Sequence, residues 1–107
     1  MNWEIHYTDE AKADLQELDG SERKKVLKAI LKASQNPLPA SEGGYGKPLG
    51  NKRGNDLTGL CKIKLLKEGI RVVYALYRTE TAMKIIVIAA RSDNEVYELA
   101  AARTKQS

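Results

Sequence analysis

Apolar and polar residues alternate at the amino terminus: Trp3, Ile5 and Tyr7 are separated by Glu4 and His6, the two-residue period of a half-buried strand. After Thr8 the period lengthens. Ala11, Leu15 and Leu18 recur at helical spacing, Thr8 is suited to cap that helix, and Asp9 and Glu10 favour its positive end. Gly20 is expected to stop the helix and Ser21 to cap a second one. In the second, Val26, Leu27, Ile30, Leu31 and Ala33 form an apolar stripe until Asn36-Pro37 breaks it. Pro37, Pro39, Gly43, Gly44, Gly46, Pro48, Gly50 and Gly54 then make the stretch 37–55 read as one long loop. Loops beyond about 12 to 15 residues are uncommon in compact domains. This one is either a solvated connector or a functional segment, and it carries Lys47, Lys52 and Arg53.

From Leu57 the strand period returns in three runs: Leu60 to Leu65, Ile70 to Tyr77, and Met83 to Ala90. A closing helix is expected over Asn94 to Ala102, with Val96, Leu99 and Ala100 on one side and Ser92 or Asp93 as its cap. The order is β-α-α-β-β-β-α. It predicts a single α+β domain over residues 1–107, an antiparallel sheet packed against an N-terminal helical hairpin, with a short C-terminal helix.

The turn between the second and third of these runs decides which side chains share a face, because a one-residue slip reverses them all. If Glu68-Gly69 form a two-residue turn, Lys67 pairs with Ile70 and Lys64 lies opposite Val73. Cys61, Ile63, Leu65, Val72, Tyr74 and Leu76 then line one core-like face. Lys62, Lys64 and Arg71 gather on the other, which is expected to be exposed. A three-residue loop would bury the Arg71 guanidinium without an evident partner, at a cost of several kcal/mol. Like charges side by side on a sheet repel. They point to an anion as their partner, or else to solvated lysines whose stems cover apolar surface.

Composition narrows the chemistry. The 107 residues carry 18 Lys plus Arg against 14 Asp plus Glu, a net charge of +4, with a pI of about 9.2; this suits a polyanionic partner without specifying one. The longest strongly apolar run, Ile85 to Ala90, is far shorter than the roughly 20 residues of a membrane span. The start of the chain lacks the order of a secretory signal, so a cytoplasmic protein without membrane contact is expected. One cysteine, Cys61, and one histidine, His6, allow neither an internal disulfide nor a metal site of the usual Cys/His kind, and no cofactor is expected. Cys61 is expected to pack as a small apolar group and His6 to lie on the surface.

The runs Cys61-Lys62-Ile63-Lys64-Leu65, Gly69-Ile70-Arg71-Val72-Val73-Tyr74, Ile86-Val87-Ile88-Ala89-Ala90-Arg91 and Glu95-Val96-Tyr97 are similar in order and spacing to RelE toxins. The match spans about the last half of the chain; the strand-helix-helix opening agrees in architecture only. The resemblance implies a type II toxin that cleaves messenger RNA in the ribosomal A site, a metal-independent endoribonuclease using the 2′-hydroxyl as nucleophile. It implies Tyr97 as general base, Arg91 as general acid or leaving-group stabiliser, and Lys62, Lys64 and Arg71 as the cations around the scissile phosphate. Lys47, Lys52 and Arg53 are added as RNA-binding candidates. The implied partners are the ribosome and mRNA, a RelB-like cognate antitoxin, and operator DNA only through the toxin-antitoxin complex.

A phenol with an ordinary pKa near 10 is a poor base, and a surrounding cation cluster is what would favour its phenolate. From local pattern alone Tyr97 reads equally well as a core residue of the last helix, and Arg91 as the partner of Glu95. Two departures from the RelE pattern stand out: Cys61 where an aromatic residue often precedes the lysines, and Asp93 where relatives can carry a cation. An acidic group there would weaken RNA contact. Two other functions fit the fold, a ParE-like inhibitor of DNA gyrase and a catalytically silent antitoxin-binding co-repressor.

Overall fold

A computed structural model of the chain describes residues 2–52 and 54–105. Strand β1 (Glu4–Tyr7) leads into helices α1 (Asp9–Glu17) and α2 (Gly20–Ala33), and strands β2 (Lys47–Lys52), β3 (Asn55–Leu65), β4 (Ile70–Tyr77) and β5 (Ala82–Ala89) precede the closing helix α3 (Asp93–Thr104). The sheet has five strands in the order β1-β5-β4-β3-β2. The α+β class, the helical hairpin and the closing helix are as expected, with three differences.

The first is that β1 runs parallel to β5, pairing Ile5 with Met83 and Tyr7 with Ile85. The helical hairpin is a crossover long enough for the chain to reach the far side of the sheet before the meander is built. The second is that segment 37–55 is largely structured. It holds a short 3₁₀ turn, Ala40–Glu42, then β2, and the start of β3. Glycine and proline concealed a strand because β2 is an edge, where a proline such as Pro48 is tolerated, and Gly50 takes a positive φ of 63° at an irregularity of register. Tyr74 anchors the stretch by donating its buried hydroxyl to Pro37 O at 2.7 Å. A β-carbon at Gly46 would stand 2.3 Å from that hydroxyl, so only glycine permits the approach.

The third difference is the β3–β4 turn. Leu65 pairs with Ile70 and Lys64 with Arg71, leaving residues 66–69 as the turn in place of Glu68-Gly69 alone. Gly69 does supply the positive φ, at 69°, and its N–H bonds Leu65 O at 2.9 Å. The shorter turn would have set Lys67 against Ile70, which is fully buried. The longer one releases Lys67 and Leu66 to solvent and lets Glu68 meet Lys25 of α2 at 3.2 Å. The register moves by two, so the faces keep their members.

Helix caps follow the local chemistry. Thr8 Oγ1 accepts from Ala11 N at 3.0 Å. Asp19, not Ser21, caps α2 by accepting from Glu22 N at 2.8 Å, and Gly20 becomes the first residue of that helix; α1 has already ended at Glu17. The carboxylate of Asp19 satisfies the free N–H group three positions on, one of those a helix start leaves unpaired.

Both faces of the sheet are covered. Ala11, Val26 and Ile30 of the hairpin pack on Cys61, Ile70, Val72, Tyr74, Met83, Ile85 and Ile88. On the other face Val96, Tyr97, Ala100 and Ala101 of α3 pack on Leu60, Val73, Ile86, Val87 and Ala89. A bulge in β5 joins the two layers: Tyr74 pairs with Ile85 and Val73 with Val87, so Ile86 is the extra residue and shares the α3 face with Val87. Beyond the end of β1 the edge of β5 is met by side chains. Asp14 accepts from Ile88 N at 3.0 Å, and Arg103 donates to Ile86 O at 2.9 Å and to Asp14 at 2.6 and 3.1 Å. No helix among the described residues is long and apolar enough to cross a membrane.

Removing Asp14 would leave an edge N–H and a mostly buried guanidinium short of an acceptor. Asp14→Ala should therefore cost about 1 to 3 kcal/mol in urea unfolding. The double variant with Arg103→Met should lose less than the sum of the two single losses; strict additivity would show that the pair is not coupled.

Candidate functional site

The site forms where α3 crosses the carboxyl-terminal half of β3. Alternation puts Lys62 and Lys64 on the α3 face of β3 with Leu60, while the neighbouring strand adds Arg71 and Val73. Lys47 pairs with Lys62 across the β2–β3 ladder and so joins the same face. The five residues expected to act together are not equally placed. Lys62 is only 5% exposed, where an open cation had been expected, because α3 lies over it.

Its ammonium is not orphaned there. Lys62 Nζ donates to Tyr97 Oη at 2.7 Å, sits 5.2 Å from the centre of the Tyr97 ring, and lies 3.5 Å from Asp93 Oδ1. Tyr97 is therefore both a core residue of α3 and the polar lid of a buried lysine. Arg71 approaches from the next strand: its Nε donates to Asp93 Oδ1 at 2.5 Å, and its terminal nitrogen to Gly69 O at 3.1 Å and to the carbonyl of Arg91. Two backbone carbonyls and one carboxylate thus hold the guanidinium in one orientation.

Asp93, the first residue of α3, is the residue that the sequence offered only as an alternative helix cap and as a departure from the RelE pattern. Burial pushes its carboxyl up, but the Arg71 hydrogen bond and the charges of Lys62, Arg71 and Lys64 outweigh that and hold it below the usual carboxylate range. The cations of this face, expected to await an anion from outside, have one within the chain, 22 positions beyond Arg71.

The other candidates lie around this centre. Lys64 is exposed, opposite Arg71 in register and close enough to act on Asp93 through its charge. Arg91 is exposed in the turn before α3; among the described residues no ion pair joins it to Glu95, whose carboxylate instead accepts from the Ser92 hydroxyl at 3.1 Å. Lys47, Lys62 and Lys64 line an open groove of about 380 Å³ along the edge of β3 past the end of β2, together with Lys32 and Tyr45 of the α2 side. Tyr45 is 54% exposed, and the Lys32 ammonium stands 5.7 Å from its ring centre. Lys52 sits at the opposite end of β2, paired with Asn55, and is not brought to the site. Arg53 lies outside the described residues. Cys61 is buried in the hairpin-side core, where burial pushes its thiol up. His6 is exposed beside Glu4 at 3.3 Å. Among the described residues no group of three His, Cys, Asp or Glu is placed to hold a metal ion.

Comparison with known proteins agrees with the fold. No protein-family model matches the chain. A putative RelE-like toxin protein of Escherichia coli is 25% identical over 106 residues, which are 98% of this chain and all of that one. Over nearly its whole length the chain is thus similar to a RelE-like toxin. Its fold is that of solved RelE structures. A free E. coli RelE carrying two arginine-to-alanine substitutions superposes with a TM-score of 0.72 at 21% identity, over 96% of this chain and 98% of that chain. The RelBE2 toxin-antitoxin complex of Mycobacterium tuberculosis gives 0.69 at 22% identity, over 87% and 95%.

Three expectations follow for stability. Lys62→Met removes a buried charge and should leave the fold within about 1 kcal/mol of the wild type in urea unfolding. Tyr97→Phe, which strips that charge of its shortest partner, should cost about 1 to 2 kcal/mol. The reverse ranking would show that the ammonium is a structural support. The Asp93 pairs contribute stability that is present above the ordinary carboxylate pKa near 4 and is lost as the pH falls through the lowered folded value. For a carboxylate 39% exposed the contribution is at most about 1 kcal/mol. Asp93→Asn should remove it, and an unchanged acid limb in its stability profile would refute the pairing.

Proposed function

We propose that this RelE-type chain is a type II toxin acting as a metal-independent endoribonuclease, cleaving messenger RNA in the ribosomal A site and so stopping translation. The observation that carries the reading is the buried contact of Lys62 Nζ with Tyr97 Oη at 2.7 Å, with the Arg71 guanidinium on the same face of the sheet. An ammonium beneath a helix costs several kcal/mol of desolvation. A fold that only needed to pack α3 would place an apolar residue there.

In this mechanism Tyr97 takes the proton of the ribose 2′-hydroxyl as a phenolate, and Lys62, donating to the same phenolic oxygen, favours that anionic form before the proton is taken. The 2′-oxygen forms a bond to phosphorus while the bond from phosphorus to the 5′-oxygen breaks, leaving a 2′,3′-cyclic phosphate and a 5′-hydroxyl. Lys64 and Arg71 neutralise the phosphate oxygens as charge builds on them. Arg91, exposed at the mouth of the site, serves the departing 5′-oxygen by proton donation or by charge. The lysine groove with Lys47 carries the strand towards the cluster, and Tyr45 offers a face on which a base stacks. A RelB-like antitoxin silences the site by covering the cationic face, and the complex, not the free toxin, contacts operator DNA. The solved M. tuberculosis relative is itself a toxin-antitoxin complex, which supports an antitoxin partner.

Expressed alone, the chain should arrest growth and translation, and in a purified translation system it should produce discrete cuts on translated messages. Tyr97→Phe or Arg71→Ala should lower the cleavage rate by about 10²- to 10³-fold each while DNA gyrase supercoiling stays unaffected. Equal toxicity of the wild type and the Arg71→Ala, Tyr97→Phe double variant would remove the catalytic assignment. Inhibition of gyrase would replace it.

A further inference from the structure

The cations of the proposed phosphate site already hold an anion. Asp93 Oδ1 is shared between Arg71 Nε at 2.5 Å and Lys62 Nζ at 3.5 Å, and Lys64 adds its charge from the same face. Such an oxygen offers the same chemistry as a non-bridging phosphodiester oxygen: negative charge that accepts charge-assisted hydrogen bonds from both an ammonium and a guanidinium. We propose that Asp93 is a built-in occupant of the phosphate position, so that RNA enters by exchange against the protein's own carboxylate, and that Asp93 sets affinity without making or breaking bonds. This rests on reading the same cations as phosphate-binding groups.

The surroundings suit an exchange. Asp93 is the movable member, its side chain 39% exposed, against 5% for Lys62 and 16% for Arg71. Its side chain is not needed to start α3, because Ser92 caps that helix by accepting from Glu95 N. Arg71 remains aimed when the carboxylate leaves, since Gly69 O and Arg91 O still hold its terminal nitrogen. Lys62 remains on Tyr97. Swinging Asp93 outward therefore leaves two oriented donors with no further rearrangement. A tethered carboxylate competes as a ligand at millimolar effective concentration, and the incoming phosphate must outbid it.

The exchange is tested with a labelled single-stranded RNA that is 2′-O-methylated throughout, whose binding is followed by fluorescence anisotropy across a salt series. This probe lacks the nucleophile, so affinity is read apart from cleavage. Asp93→Asn should bind it about 10-fold tighter, with a slope of log affinity against log salt steeper by about 0.7, the value of one added phosphate contact on a single strand. Glu98→Gln removes the same charge from an exposed position of the same helix and should change affinity less than about 2-fold, through screened long-range charge alone. Asp93→Ser repeats the test should the asparagine variant fold poorly. Affinity unchanged in both Asp93 variants, or gained equally in Glu98→Gln, overturns the exchange, even if the wild type cleaves translated messages. Tighter binding by the Asp93 variants, with no cleavage by any of these proteins, keeps the exchange and defeats the nuclease reading.

Discussion

A sheet covered on both faces has no exposed middle, and that constraint governs this molecule. The hairpin of α1 and α2 takes one side and α3 the other, so a polar group of the sheet that lies under a helix needs partners within the protein. Lys62 meets this demand with Tyr97 from the helix above it and Asp93 from that helix's first turn. The position of α3 and the satisfaction of Lys62 are one arrangement seen from two ends. Whatever moves the helix also takes the partners of Lys62 away from the sheet beneath it.

Much of the fold was legible because each element carried its own local signal. The alternation of Trp3, Ile5 and Tyr7 and the Thr8 cap are short-range patterns that the structure keeps, and of the expected α2 stripe it buries Val26, Ile30 and Ala33 while Leu27 and Leu31 stay exposed. Strand β2 was concealed because its glycines and prolines are tolerated only through tertiary circumstance. An edge position excuses Pro48, and the Tyr74 hydroxyl excludes a side chain at Gly46. The β3–β4 turn was misjudged in length for a related reason: Glu68 is drawn to Lys25 of α2, a partner that no turn rule contains.

The membership of the polar face could be argued from alternation, and a register displaced by two residues leaves it intact. Its burial could not. Nothing in the local pattern says that α3 folds back over Lys62, or that Asp93 comes within reach of two cations from other strands. Lys52 illustrates the opposite error, since nearness to Lys47 in sequence becomes separation along a strand, at the far end of β2.

The bulge at Ile86 has a topological effect larger than its size. Upstream of it the odd-numbered residues Met83 and Ile85 look towards the helical hairpin; downstream, Ile88 does so and Ala89 looks the other way. One supernumerary residue thus inverts the strand's parity just before the chain leaves the sheet. It turns the final segment out on the side opposite α1 and α2, over the lysines. Without that inversion Ile88 and Ala89 would exchange sides and the exit would point towards a face already occupied, leaving Lys62 uncovered.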